Sequence, residues 1–374
     1  MKKICILTSV HPALDVRIFY KEAKTLVRAG YDVVLVAQHD KEEIIEGIKI
    51  IPLPKPKNRF FRIFFLARKA YKIALEQKAD IYHFHDPELI PWAIKLKKKT
   101  GTKVIYDVHE DVPKQILSKH WIPKILRKIT SSLFNFYEKK MAKNFDFVIT
   151  VGEDVKESFK KENPHVETVK NFPILDYFKN THSELFSKNI FTLICPGGLT
   201  KIRGVEEIVK ALEFLPNSVQ LILLGKFVPS DFEQQIKSLK GFEKVRYFGQ
   251  VPFGEIPQYL SRADIGVACY LPVPNNINSN PNKLFEYMVA GLPVIASNFP
   301  LWKEIIEGNN CGICVNPLEP KEIAKAVEYL IKHPEEARKM GENGRRAVLE
   351  KYNWENESKK LLKIYEDLDK KNKM

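Results

Sequence analysis

The sequence predicts an α/β protein made of two parallel-sheet domains, and three observations carry that reading. Short β-rich runs alternate with helical patterns along nearly the whole chain. The length of 374 residues suffices for two buried cores. The periodic pattern lapses once, over residues 171–188, where a linker is expected.

The first half opens with a strand at 4–8, a helix from about Arg17 to Ala29 and a second strand at 32–37. Further strands are expected at 81–85, 104–106 and 147–151. After the linker the alternation resumes with strands at 192–195, 220–224, 245–248, 265–269 and 294–296. No sequence repeat relates the halves, so they are two similar architectures rather than a duplication. Domain limits of 1–175 and 189–354 follow.

Composition narrows the class. Hydrophobic residues at 44% and charged residues at 28% are ordinary for a globular protein. A net charge of +14 implies attraction to something anionic: nucleic acid, an acidic lipid surface or a nucleotide. No nucleic-acid-binding motif accompanies that charge. The first strand leads into Ser9-Val-His11-Pro12 without a glycine fingerprint, which disfavours a dinucleotide oxidoreductase. Met1-Lys2-Lys3 precedes an apolar run too short for a signal peptide, and no run is long enough to span a bilayer. Five cysteines without an export signal suggest a reducing, cytoplasmic setting. Cys311-Gly-Ile-Cys314 has redox or zinc spacing, but no second pair completes four ligands, so both are expected to be small residues of a strand edge.

The most informative stretch is 278–297. Asn280 can cap a helix that starts near Pro281, with Leu284, Phe285, Met288 and Val289 on its apolar face and Gly291 and Pro293 ending it. Lys283 lies at the positive end of that helix, so backbone N–H groups, the dipole and an ammonium coincide where a phosphate or diphosphate can bind. Glu286, one turn further in, is placed to accept hydrogen bonds from neutral hydroxyls. A second loop, Pro196-Gly-Gly198-Leu-Thr-Lys201-Ile-Arg203-Gly204, joins a strand to a helix expected from about Gly204. Its glycines permit close backbone approach, and Arg203 offers a bidentate fork to a phosphate. Lys201, a lone loop lysine, is a weaker candidate.

Pro281-Asn282-Lys283-Leu-Phe-Glu286-Tyr-Met-x-Ala-Gly291-x-Pro293-Val-Ile-Ala-Ser resembles the donor-binding motif of retaining glycosyltransferases of family 4. Asp15-Val-Arg17-Ile-Phe-Tyr-Lys21-Glu22 and Ala29-Gly30-Tyr31 are similar to the opening of its bacterial polysaccharide-assembling members. His83-Phe-His85-Asp86-Pro87, Tyr106-Asp107-Val-His109-Glu110-Asp111 and Phe248-Gly249-x-Val251-Pro252 fall in the family's order. The resemblance implies a GT-B fold, two Rossmann-like domains facing across a cleft, with the last helix, within 355–374, packing back on the first domain. It implies transfer of a sugar from a nucleotide-sugar donor to a glycan or lipid-linked hydroxyl acceptor, with no metal or other cofactor. It places His109, Arg203 and Lys283 in catalysis and gives donor contacts to Gly198, Val251, Asn278, Asn282 and Glu286.

Three departures stand out. The family often places an arginine where this chain has Gly198, Arg203 stands in place of its usual lysine, and Asn278 stands where better-known members carry the first of two glutamates. Asn278 can hydrogen-bond a sugar hydroxyl but cannot act as a base or nucleophile. Glu110 is an alternative acceptor-side base. Asp15 and Arg17 either line the acceptor side or, for Arg17, pair with a neighbouring carboxylate. His83 and His85 share a strand face, but no further convergent metal ligands are legible, so no metal is expected. The same fold and phosphate site also serve nucleotide-sugar epimerases, and a basic nucleic-acid-binding protein is the remaining alternative.

Residues 55–72 and 119–128 mix bulky apolar residues with many cations. Such segments suit an anionic membrane surface, with aromatics in the interface and lysines and arginines at the headgroups. A peripheral position on the inner face of the membrane is therefore expected. The alternative is an amphipathic helix packed on the sheet with a solvated basic face.

Overall fold

The computed structural model describes residues 1–108, 111–119, 122–179 and 190–370. The chain divides into two compact units, Met1–Asn171 with Trp354–Met374, and Phe172–Asn353.

The first unit contains β1 (Lys3–Pro12), β2 (Asp32–Gln38), β3 (Glu43–Ile45), β4 (Ile48–Leu53), β5 (Ile81–Phe84), β6 (Lys103–Val108), β7 (Phe147–Thr150) and β8 (Val166–Thr168). They form one sheet in the order β3-β4-β2-β1-β5-β6-β7-β8, parallel except for the β3–β4 pair. Ile4, Cys5, Ile6 and Leu7 are all buried, because helices cover both faces of a parallel sheet. The expected helix from about Arg17 opens instead as a π-helical stretch, Val16–Ala23, before continuing as Lys24–Arg28. Asp15 caps it, accepting hydrogen bonds from the N–H groups of Arg17 and Ile18. The last helix, Trp354–Lys370, belongs to this unit: Trp354 donates from its indole to the Thr25 hydroxyl at 3.0 Å, and the Tyr365 hydroxyl lies 2.8 Å from His83 Nδ1.

The second unit holds β9 (Phe191–Pro196), β10 (Val219–Leu224), β11 (Val245–Tyr247), β12 (Ile265–Ala268), β13 (Val294–Ser297) and β14 (Gly312–Val315). Its sheet runs β11-β10-β9-β12-β13-β14 and is parallel throughout. All five cysteines are free thiols, and burial pushes Cys311 and Cys314 up to about 12. Among the described residues no helix is long and apolar enough to cross a membrane.

Candidate active site

In a parallel sheet whose strand order reverses, the loops leaving the two strands at the reversal diverge and open a crevice at their carboxyl ends. In the second unit that point lies between β9 and β12, since β10 and β11 continue on one side and β13 and β14 on the other. Gly197-Gly198 leaves β9 there, and Cys269-Tyr270 leaves β12.

Arg203 and Lys283 meet at this point. The Arg203 guanidinium donates from Nη1 to the Gly198 carbonyl at 3.2 Å and lies 5.7 Å from the centre of the Tyr270 ring. The Lys283 ammonium lies 5.2 Å from the same ring and 3.5 Å from the Cys195 sulfur. A side chain at Gly197 would meet both cations, Arg203 Nη1 at 3.3 Å and Lys283 Cε at 4.0 Å. Lys283 is buried, with 6% of its surface exposed. Among the described residues neither cation has a carboxylate partner. A buried ammonium without a counter-charge is costly, and an anionic ligand is what relieves that cost.

The surrounding backbone is held close. Gly204 has φ +68°, and a Cβ there would sit 1.7 Å from the Cys269 carbonyl oxygen, so only glycine lets the Arg203 loop lie against the end of β12. Gly204 follows a short 3-10 turn, Lys201–Arg203, and the helix then runs Val205–Ala211. Asn276, buried, donates to the carbonyls of Ile202 and Leu271 at 2.8 and 2.9 Å, tying the 271–277 loop to the Arg203 loop. The Trp302 indole donates to the Ser279 carbonyl at 2.7 Å and fixes the approach to Lys283. Tyr270, Asn276 and Trp302 escaped sequence reasoning. An aromatic after a strand or an asparagine before a helix signals nothing until the fold sets them beside the cations.

The Lys283 helix spans Asn282–Val289, with Pro281 in the capping position and no side-chain cap. Asn280 is therefore not the cap that the sequence suggests: Pro281 has extended ψ (131°) and lies outside the helix, which moves the start on by one residue. Lys283 is the second helical residue, and Glu286, half-buried, lies one turn deeper. Asn282 opens the helix. Asn278 is exposed and ends the short helix Pro274–Ile277. Gly198 lies beneath Arg203, whose Nη1 would be 3.2 Å from a Cβ there, so in this chain the guanidinium occupies the space of a residue-198 side chain. Val251 follows Gly249, whose carbonyl accepts from Gly225 N–H at 2.6 Å, and a Cβ at Gly225 would reach within 1.9 Å of the Gly197 carbonyl. The loops after β9, β10 and β11 are thus in contact. His109 and Glu110 lie outside the described residues.

Comparison with known families gives two matches that together span most of the chain. Residues 178–347 match the model for glycosyl transferases group 1, and residues 16–172 match that for glycosyltransferase family 4. The chain belongs to the family 4 glycosyltransferases. An uncharacterised glycosyltransferase of Methanocaldococcus jannaschii is 25% identical over 86% of this chain and 82% of its own length. Among solved structures, sucrose-phosphate synthase from Thermosynechococcus elongatus superposes with a TM-score of 0.80 at 19% identity, covering 98% of this chain and 99% of its own. Anabaena HepE, solved with UDP and glucose, gives 0.75 at 15% identity, covering 98% and 100%. These likenesses establish the GT-B fold, two parallel-sheet α/β domains.

In the first unit of this glycosyltransferase, Arg17 is a buried ion-pair residue. Its guanidinium reaches Glu22 at 2.9 Å and Asp107 at 2.8 Å, and Nη1 donates to the Val169 carbonyl. The π-helical turn sets Arg17 and Glu22, five residues apart, over one another. His83 and His85 stack at 4.7 Å, with His83 Nε2 3.7 Å from Asp107 and His85 Nε2 3.4 Å from Glu22. Burial alone would raise the Asp107 carboxyl, but Arg17 and the histidines outweigh it and hold it well below the usual range. Burial and the Asp107 charge push Glu22 well above it. Sequence spacing found only the two histidines, whereas the fold brings the ligand atoms of Glu22, His83, His85 and Asp107 within 4.8 Å of one another. That set could hold a metal ion by its donors alone, yet the Arg17 guanidinium already contacts both carboxylates and supplies the positive charge there. Asp15 is held near 2: burial, which raises it, is outweighed by the hydrogen bond and charge of His11 and by the two cap N–H groups.

Proposed function

We propose that this glycosyltransferase is a retaining enzyme that moves a sugar from a nucleoside-diphosphate sugar to a hydroxyl of a glycan or lipid-linked acceptor in cell-surface polysaccharide assembly. The observation that carries the donor half is the convergence of Arg203 and Lys283, without carboxylate partners among the described residues, at the strand-order reversal of the second unit. Negative charge grows on the diphosphate as the glycosidic bond breaks, and preorganised donors aimed at it lower the barrier. The Arg203 fork, the Lys283 ammonium and the free N–H groups of the Asn282–Val289 helix supply those donors.

Glu286 accepts from the ribose hydroxyls, and Asn278, Asn282, Gly198 and the backbone near Val251 complete the donor contacts. His109 orients the sugar. Asn278 lacks a carboxylate and cannot serve as the nucleophile, and attack on the same face as the departing diphosphate fits a retaining outcome. HepE was solved with UDP and glucose, which supports a nucleotide-sugar donor. Activity is expected to survive a chelator, because the cations supply the charge.

Titration calorimetry against UDP, GDP and ADP sugars tests the reading. One of the panel is expected to bind, and Arg203→Ala and Lys283→Ala to weaken it. Unchanged affinity in both variants contradicts the site, and turnover of the nucleotide sugar without an acceptor points to an epimerase.

A further inference from the structure

The helix Lys124–Ala142 is inside out. An amphipathic helix on a globular unit turns its apolar stripe inward and its polar stripe to water. Here Ser131, Glu138 and Ala142 form the buried stripe, with Ser131 donating to the Pro113 carbonyl and Glu138 accepting from the Tyr106 hydroxyl at 2.6 Å. The opposite stripe, Ile125, Ile129, Leu133 and Phe136, faces solvent, with Ile125 81% and Leu133 66% exposed. Phe60, Phe64 and Phe65, on the helical run that begins at Arg59, are more than half exposed as well.

Between these two helices lies an apolar groove of about 640 Å³, lined by Ile63, Phe64, Pro91, Trp92, Phe134 and Tyr137. That volume falls within the roughly 300–1,000 Å³ of small-molecule sites. Lys95 stands at the groove with its ammonium 5.7 Å from the Tyr71 and Trp92 rings. Glu88, the acid among the lining residues, is held by Arg62 at 2.6 Å. Residues 55–72 contain Arg59, Arg62, Arg68, Lys69 and Lys72 and no acid, and 124–142 contain Lys124, Arg127, Lys128, Lys139 and Lys140, with Glu138 buried. The surroundings of the groove are therefore cationic. The Lys140 ammonium lies 5.4 Å from the centre of the Phe136 ring, so a cation sits beside the apolar stripe.

We propose that this face lies on an anionic phospholipid bilayer and that the groove takes one acyl chain of a lipid drawn from it. An apolar stripe fringed by lysine and arginine matches the two layers it would meet, hydrocarbon below and phosphate headgroups at the rim. The stripe binds the interface, the cations bind the headgroups, and a hydrocarbon-lined cavity between the two helices accepts a single chain. This inference goes beyond the transferase reading and does not depend on it.

Tryptophan fluorescence tests the groove. Trp302 and Trp354 are buried and Trp121 lies outside the described residues, so Trp121→Phe leaves Trp92 as the tryptophan at the groove. This variant is mixed with phosphatidylcholine vesicles, with and without phosphatidylglycerol, whose acyl chains are ordinary or brominated. It is expected to cosediment with the phosphatidylglycerol vesicles and to lose emission only where the chains are brominated. Adding Trp92→Phe is expected to abolish that loss.

Leu133→Glu and Phe136→Glu, at exposed positions with little risk to folding, are expected to weaken sedimentation about tenfold each or more. Cosedimentation with equal emission on both kinds of chain overturns the groove. Failure to sediment with phosphatidylglycerol vesicles, or capture of an acidic protein by the face in place of lipid, overturns the proposal as a whole. UDP calorimetry on the same variants reports the donor site separately, so either reading can fail without the other.

Discussion

Replacing Lys283 by methionine separates a ligand-binding cation from a structural one, because the two roles give opposite signs. Methionine keeps the unbranched stem and fills the same space without charge. In the protein without nucleotide, Lys283 is 6% exposed, and its ammonium lies against the Cys195 sulfur and the Tyr270 ring. The ring returns about 0.5–2 kcal/mol of the desolvation cost. The remainder is uncompensated, so the substitution is expected to stabilise the unliganded protein by about 1 kcal/mol. For a unit of this size that is a rise of about 2–4 °C in Tm. With a diphosphate bound the sign reverses. Loss of one charge-assisted contact costs about 1.5–3 kcal/mol, a roughly ten- to 150-fold weaker affinity. Calorimetry with UDP and thermal unfolding with and without it read both quantities. Wild-type UDP affinity in the variant, or a fall in unliganded stability alongside the lost affinity, refutes the reasoning.

Arg203→Lys keeps the charge but loses the planar fork that bonds Gly198 and presents two donors, so UDP affinity is expected to fall about tenfold, and wild-type binding by calorimetry would contradict a bidentate role. Gly204→Ala meets both a positive φ and a 1.7 Å clash with the Cys269 carbonyl, and denaturant unfolding is expected to show a loss of about 3 kcal/mol or more. Burial raises the Glu138 carboxyl from 4.5 to about 7, so the folded state holds more protons than the unfolded one between those values and stability falls as pH rises through that window. Glu138→Gln is therefore expected to be more stable than wild type by up to about 3 kcal/mol at pH 8, an advantage that shrinks towards pH 5 and is read from urea midpoints. Tyr365→Phe removes the hydroxyl 2.8 Å from His83 and is expected to cost about 1–3 kcal/mol in the same assay.

Much of the fold is legible because parallel strands covered on both faces read as continuous apolar runs, as at Ile4–Leu7, although β1 itself runs four residues past its expected end, to Pro12. The short strands β3, β4 and β8 are missing from the sequence reading, since three to six residues with polar interruptions carry too little pattern. Helix periodicity placed a helix near Arg17 but could not show its π-helical start, which only the buried Arg17–Glu22 pair reveals. At the candidate site Arg203 and Lys283 were legible because each sits beside glycine or proline punctuation. Tyr270, against which both pack, was not, because its role exists only through contacts across 67 and 13 residues of chain. In 119–128 the apolar and basic composition was visible. Its continuation as an outward stripe to Phe136 was not, because composition cannot say which side of a helix meets the sheet.

The most direct measurement is a structure of the protein with UDP bound. The diphosphate is expected at the carboxyl ends of β9 and β12, with the Arg203 guanidinium and Lys283 ammonium at charge-assisted distances of about 2.7–2.9 Å from its oxygens. UDP bound elsewhere, or a diphosphate at that point which neither cation touches, would contradict the donor site.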